Sequence, residues 1–564
     1  MNLLSRLDYL PVAAGALFIL IFFHASYIEI HDDGVLAYVA SQLLNGSMLN
    51  RDVLSFHSGF LHFMHVLAFR LFGVDFVSLR YPLMLSTFVQ IMIVYSIFRG
   101  RGIAFAVVSA LLALSTSCIL YNNPTGNWYT QLCFWCLCLI LIKIPEDNKF
   151  RYLWSGTVLG FCFLFRQLTF AFLCLGYLSY LAADSQQQQK KVSERGDGTG
   201  VMISRVILFL AGLPFVFYAL SGANPDGMLL FCLMPLFLHF RLASKAQLGI
   251  GQFLHQCLFT LAGAAMVLVP FVLYVSINCD LRLWLEQTFV APFALYEAEF
   301  KKRMLFLWLP FFGFQEFLAN PLNPVILLNV FIWSMLPFAS FVLGMAIFTS
   351  GSRFRSKPLP VLALSYGMVA VHYEIPIYLI FTLAPTLTSL LFLAERKYER
   401  RSMVVALGLS VVLLYYHAGQ PQERGVPGVL RGTRLPSEAC QLPHCSLWVG
   451  HEVNERYLKL YTILKPMVAD GSTFYAFPYN PELFFLLDVR PHVAGYHFVM
   501  DVRNREDLDR LIRRFEDDAP KVLVADLTDK AADRYAHELW DRIGPRYAHV
   551  DQVDTVEVLQ LRTQ

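Results

Sequence analysis

The sequence predicts an α-helical polytopic membrane protein that carries a soluble α/β tail, and three observations lead there. Apolar runs of bilayer length recur through residues 1–417. Basic residues gather at every second exit from those runs. From residue 418 the composition turns to that of a soluble fold. Of the 564 residues 56% are hydrophobic and 15% charged, whereas soluble domains carry about 25% charged residues. A soluble core could not hide that much apolar surface, so the bilayer is the main solvent. A net charge of +3 says nothing about nucleic acid, and no such partner is expected.

The apolar runs lie near 9–28, 76–98, 103–121, 127–143, 152–165, 168–183, 205–221, 227–240, 256–278, 325–348, 359–372, 375–394 and 402–417, about thirteen spans. The first is too long for a signal-peptide core and lacks a small-residue cleavage site, so it reads as a retained span. Arg99 and Arg101 follow the second run, Lys143, Lys149 and Arg151 the fourth, and Lys190, Lys191 and Arg195 the sixth. Arg241 and Lys245 follow the eighth, Arg353, Arg355 and Lys357 the tenth, and Arg396, Lys397, Arg400 and Arg401 the twelfth. The alternate connections (YNNPTGN, FRQ, SGANPDG, VHYEIP) are short and poor in Lys and Arg. The positive-inside rule then places the N-terminus in the cytoplasm and, for an odd count, the C-terminus outside, as in a multi-pass inner-membrane protein. The expected division is a membrane region, 1–417, and an extracytoplasmic α/β domain, 418–564, with the large loops 29–75 and 279–324 on the same outer side. The segment DSQQQQKKVSERGDGTG reads as a solvated inner linker.

Both outer loops have internal order. Val35, Leu36, Val39, Leu43 and Leu44 share one helical face, and Asn45-Gly46 is a helix stop. Leu61, Met64, His65, Ala68 and Leu71 recur at helical spacing in a second segment. Both segments fit interfacial helices lying flat on the membrane. Trp284, Phe289, Phe293 and Tyr296 give the later loop the same character, and Lys301-Lys302-Arg303 either meets lipid phosphates or anchors the interface. In the tail, FYAF opens a strand–turn–helix, DLDRLIRRFEDD is an amphipathic helix, KVLVADL a buried strand, and VDTVEVLQLR alternates like an edge strand.

Of the eleven cysteines, those in apolar runs read as small buried hydrophobes; Cys133 and Cys136 form a CxxC with no second pair, which argues against zinc. Cys440 and Cys445 sit in a polar stretch and would form a disulfide on an oxidising side. Asp32 and Asp33 stand at the mouth of the first span. Carboxylates there are costly unless water, a cation or a substrate meets them. They either mark the membrane border or supply a general base toward a hydroxyl or amine.

The stretch HDDGVLAYVASQLLNGSMLNRDVLSFHSGFLHFMHVLAFRLFG resembles the first outer loop of the C-type, polyprenol-dependent glycosyltransferases (GT-C fold), and within them the bacterial branch related to protein O-mannosyltransferases and lipid A aminoarabinose transferase. The resemblance rests on Asp32, Asp33, Gly34, Tyr38, Gly46, Asn50, Arg51, Asp52, His57, Gly59 and Leu71-Phe72-Gly73. GNWYTQLCFWCLCLI resembles the family's Asn-Trp segment, and LFRQLTF its Arg/Lys-Gln segment. The resemblance implies a sugar on undecaprenyl or another polyprenyl phosphate as donor. Transfer would proceed with inversion to a lipid, glycan or protein acceptor on the outer face. It makes Asp32 the first candidate base, with Asp33 supporting it or binding substrate. Arg166 would clamp the lipid phosphate through paired hydrogen bonds; a snorkelling interfacial arginine is the competing reading. Arg51, His372 and Tyr373 are further candidates on the donor side, and His57, Asn127 and Glu374 weaker candidates for substrate contact. Glu374 departs from the family's His/Arg-Tyr pattern and serves either as a second acid or as a solvated helix end. YNNPTGN holds no carboxylate where some relatives have one, which speaks against a metal bridged by two carboxylates; a divalent metal cofactor stays open. A lipid or polysaccharide transporter or flippase, and an enzyme like the O-antigen ligases, are the alternatives. Neither explains why polar order concentrates in the first outer loop and the tail, nor are Gly/Pro-broken spans paired between two halves, as in transporters.

Overall fold

The computed structural model describes residues 8–26, 30–56, 58–191, 198–222, 224–290, 305–319, 323–349, 357–371, 376–394, 398–418, 437–528 and 534–562. Each apolar run of the sequence coincides with a helix. The first eight helices are α1 (Tyr9–Phe23), α2 (Ile30–Leu44), α3 (Phe60–Phe72), α4 (Arg80–Phe98), α5 (Ile103–Ser115), α6 (Gly126–Lys143), α7 (Lys149–Phe165) and α8 (Gln167–Lys191). Among the described residues, six helical stretches are long and apolar enough to cross a membrane: Phe76–Arg101, Gln167–Gln186, Gly198–Ser221, Pro225–Ser244, Ile250–Asn278 and Ile326–Thr349. Shorter apolar helices, among them Pro358–Val371 and Ile377–Leu393, fill the bundle, and the chain is a multi-pass membrane protein. Arg99, at the end of α4, pairs with Asp8, and Arg101 Nη1 donates to the Phe392 carbonyl at 2.7 Å, so the basic exit also locks helix ends together.

The tightest crossing joins α7 to the Ile250–Asn278 helix. A Cβ on Gly156 would stand 1.8 Å from the Thr260 carbonyl oxygen, and one on Gly263 1.9 Å from that of Leu153. Two glycines thus let backbones touch where lipid supplies no hydrophobic driving force. Gln256 Nε2 donates to Tyr152 Oη at 2.9 Å beside the crossing.

Among the described residues, the six strands all lie at or beyond Ser437. β3 (Phe474–Phe477), β4 (Val522–Ala525), β5 (Tyr547–Val553) and β6 (Val556–Leu561) form a sheet in the order β3-β4-β6-β5, with β3 and β4 parallel and the other pairs antiparallel. The sequence reading of Val556–Leu561 as an edge strand is corrected: β6 is interior, and the edges are β3 and β5. Alternation reports how the two faces differ, not how many neighbours a strand has. β1 (Ser437–Ala439) pairs with β2 (Trp448–Gly450), and the Trp448 amide donates to the Ala25 carbonyl at 2.8 Å, tying the tail to the exit of α1. Between β1 and β2, Cys440 and Cys445 are free thiols within hydrogen-bonding reach of each other.

Two further expectations change. α2 is covered by protein rather than open to a membrane surface: every residue from Leu36 to Gln42 is buried, because α3 and the Pro481–Leu487 helix of the tail cover it. Tyr38 of α2 packs on Phe484 of the tail, ring centroids 5.4 Å apart. α3 keeps the interfacial character, with Leu67, Leu71 and Phe72 exposed. In the later loop, Trp284 is buried in the Leu281–Phe289 helix and its Nε1 donates to the Ser58 carbonyl at 2.9 Å. It is a core contact to the first outer loop, not an anchor. Phe293, Tyr296 and Lys301–Arg303 lie outside the described residues, and Leu305–Ala319 adds a helix that the run pattern omits.

Candidate active site

The site starts in the first turn of α2, where side chains diverge by about 100° per residue, so neighbours in sequence face different partners. His31 Nδ1 lies 3.0 Å from Glu482 Oε2. Asp32, half-buried, accepts from the Tyr121 hydroxyl at 3.0 Å. Asp33, 1% exposed, accepts from Arg80 Nη2 at 2.7 Å, and Arg80 is itself fully buried. Gly34 meets the tail backbone: a Cβ there would stand 2.6 Å from the Glu482 Cβ and 2.7 Å from its amide nitrogen. Of the adjacent carboxylates, Asp33 is therefore committed to a buried ion pair. Asp32 is the one turned toward the loop between α5 and α6.

The second part of the site is the junction of α7 and α8. Arg166 caps α7 in extended backbone (φ −162°, ψ 113°), which breaks the helix and turns its side chain inward. Gly126, at the start of α6, allows the approach: a Cβ there would lie 2.6 Å from the Phe165 carbonyl oxygen. Asn127 Oδ1 then accepts from Arg166 Nη1 at 2.6 Å, and Tyr378 Oη accepts from Nη2 at 3.2 Å. The guanidinium carbon sits 5.0 Å from the centre of the Tyr378 ring. Arg166 is only 5% exposed, and among the described residues no carboxylate pairs with it. A buried cation held by neutral oxygens is a receptor for an anion.

The two parts share a wall. Phe381 stands with ring centroids 6.0 Å from Tyr121 and 5.7 Å from Tyr378, and the Tyr378 hydroxyl is in electrostatic reach of both Arg166 and Asp32. From the tail, Tyr496 also senses Asp32; burial first, and the Asp32 charge in addition, push its pKa well above the ordinary phenol value. A carboxylate, two phenols and an amide-backed guanidinium can together take up a proton and hold an anion.

Other candidates fall elsewhere. Arg51 is exposed and engages Asp52 through two hydrogen bonds of 3.1 and 2.9 Å; the Arg51 bond holds the Asp52 carboxyl below the usual carboxylate range. His57, His372, Tyr373 and Glu374 lie outside the described residues. Asn122 Nδ2 donates to the carbonyls of Phe23, His24 and Ser26 at 3.1, 3.0 and 3.1 Å, capping the exit of α1. Among the described residues, no group of three His, Cys, Asp or Glu side chains is placed to hold a metal ion. Sequence reasoning missed Tyr121, Tyr378, Arg80 and Glu482. Arg80 alone had a signal, a lone cation leading into an apolar run.

Residues 57–209 match the family model of dolichyl-phosphate-mannose-protein mannosyltransferase, a stretch that includes Asn127 and Arg166. No curated protein matches the chain. Among solved structures, the chain is similar to ArnT from Cupriavidus metallidurans bound to undecaprenyl phosphate, with TM-score 0.53 and 11% identity over 98% of this chain and 97% of the other. It is also similar to ArnT from the same organism in the apo state, with TM-score 0.51 and 13% identity over 98% of each chain. The fold is thus ArnT-like from end to end, and the stretch that matches the mannosyltransferase family model lies inside the membrane region.

Proposed function

We propose that the chain transfers a sugar from a polyprenyl phosphate to an acceptor on the outer face of the inner membrane, with Asp32 as general base and Arg166 as the phosphate ligand. The observation that supports this most is the shared wall: Asp32 and Arg166, far apart in sequence, meet across Tyr121, Phe381 and Tyr378. That an ArnT of similar fold was crystallised with undecaprenyl phosphate supports a donor of this class. In the step, an acceptor hydroxyl or amine attacks the anomeric carbon and its proton passes to Asp32. The bond from that carbon to the phosphate oxygen breaks, and the lipid phosphate leaves as an anion toward Arg166. Attack opposite the leaving group inverts the anomeric centre. The charge on the phosphate is greatest as the bond breaks, so a preorganised guanidinium lowers the barrier there. The alternation of basic exits supports an outer location for the site.

The test is transfer in membranes supplied with a labelled polyprenyl-phosphate sugar. Asp32→Asn should slow transfer by about 100- to 10,000-fold, the range for loss of a general base. Unchanged transfer by this variant would remove Asp32 from the mechanism. A transporter would move the labelled lipid across the bilayer without any covalent transfer.

A further inference from the structure

We propose that Glu482, in the soluble tail, is a positioning residue for Asp32, so that the tail is a working part of the catalytic centre rather than a cover over it. This rests on the reading of Asp32 as the base. The Glu482 side chain is fully buried, yet it contacts the helix that carries the base: its Oε2 lies 3.0 Å from His31 Nδ1, and its Oε1 accepts from the Tyr457 hydroxyl at 2.8 Å. A buried carboxylate is costly unless its oxygens are engaged, and here both are, one from inside the tail and one from the residue preceding Asp32.

The second contact is steric. Gly34, two residues after Asp32, presses its bare Cα against the Glu482 backbone: a Cβ there would stand 2.7 Å from the Glu482 Cα. The first turn of α2 is therefore held at three of four consecutive positions. His31 and Gly34 meet Glu482, and Asp33 meets Arg80. Asp32 is the fourth: its carboxylate accepts from Tyr121, and the other three fix the backbone from which it reaches that partner. A base must sit within hydrogen-bond reach of the proton it removes, and displacement of about 1 Å costs on the order of a hundredfold in rate. The membrane bundle supplies only one of the three anchors; the tail supplies two. Tyr496 adds a further tail residue in electrostatic reach of Asp32. This assigns the Asp-Asp-Gly glycine a specific physical role, since any side chain at 34 would lever the tail off the base.

The experiment uses the full chain in membranes, with rates normalised to folded enzyme. Glu482→Gln leaves one acceptor for two partners, so His31 loosens. We expect kcat to fall about tenfold with the donor KM within twofold of wild type, because the phosphate ligands are untouched. His31→Gln should do the same, and Glu482→Gln/His31→Gln should be no slower than the slower single variant, since both break one linkage. A residue that only docks the tail would change the yield of folded protein and leave kcat unaltered. Equal kcat in Glu482→Gln and wild type, or single effects that multiply in the double variant, overturn the proposal. If Glu482→Gln does not fold, Tyr457→Phe and His31→Gln decide, and unchanged kcat in both overturns it. Failure of the underlying site reading looks different: Asp32→Asn would itself retain transfer.

Discussion

Asp33 and Arg80 meet at 2.7 Å with almost no exposure on either side chain, whereas Asp32 beside them stays half-buried against a phenol. The same substitution should affect stability at one carboxylate and not at the other. Asp33→Asn deprives a buried guanidinium of its carboxylate, a change worth about 3–5 kcal/mol. It should lower the melting temperature and yield, and, because the Asp33–Arg80 pair is one anchor of the turn that carries Asp32, cost the folded fraction about tenfold in kcat. Asp32→Asn should keep the melting temperature and lose kcat. Thermal unfolding and transfer measured on both variants separate the roles. Arg166 bridges Asn127 and Tyr378 with two nitrogens, which Lys cannot do at once. Arg166→Lys is expected to raise the donor KM about tenfold and Arg166→Gln about a hundredfold, the scale of one and two lost charge-assisted bonds. Asp32 stood out in the sequence because carboxylates at a span end are costly, while Arg166 and Asn127 stood out only through the family resemblance. Tyr121 and Tyr378 were not, because tyrosine at a span end reads equally well as part of an aromatic belt. Glu482 was out of reach altogether: its partner His31 is 451 residues away, and no local pattern encodes that.

Among the elements, the helices were the legible part. Apolar runs report solvent, and the bilayer makes that signal strong. What a helix face packs against is not in its period. α2 showed an apolar stripe that fits a membrane surface, and only the fold reveals that the tail buries its other side. Glycine contacts were likewise invisible, since a glycine in a helical run carries no sign of what approaches it. Gly126 is the informative case. A methyl there would meet the Phe165 carbonyl at 2.6 Å and push the start of α6 away from the end of α7. Gly126→Ala should therefore weaken the Asn127–Arg166 bond and lower kcat/KM for the donor about tenfold, measured in the same transfer assay, with the rest of the bundle intact.

At the scale of the whole molecule, the tail and the membrane region are joined through α2, the exit of α1 and the 73–76 turn, where the Phe76 amide donates to the His444 carbonyl at 2.8 Å. The stability of the tail is thus coupled to the site. Asp501 of the tail has its pKa pushed up to about 7, chiefly by burial, with Arg514 and Arg503 pulling it down less strongly. An acid with a raised folded-state pKa holds its proton longer when folded than when unfolded. Its contribution then declines as pH rises from the unfolded carboxylate value near 4 to the folded value near 7, by up to about 1.4 kcal/mol per pH unit, and is level above. Asp501→Asn cannot ionise, so its melting temperature should pull ahead of wild type progressively across that window; a constant difference from pH 4 to 8 would contradict the assignment.

The glycine crossing between α7 and the Ile250–Asn278 helix makes those two rods a single strut. The longer rod has 29 residues, about 43 Å, against a hydrocarbon slab of about 30 Å, so it is long enough to lean as the bilayer thickness changes. Because Arg166 rides on the C-terminal end of its companion, the lean bears on where the cation rests relative to Asp32. Turnover in vesicles of graded acyl-chain length should peak at one thickness and decline on both sides, and a valine at Gly156 should uncouple the strut and flatten that dependence.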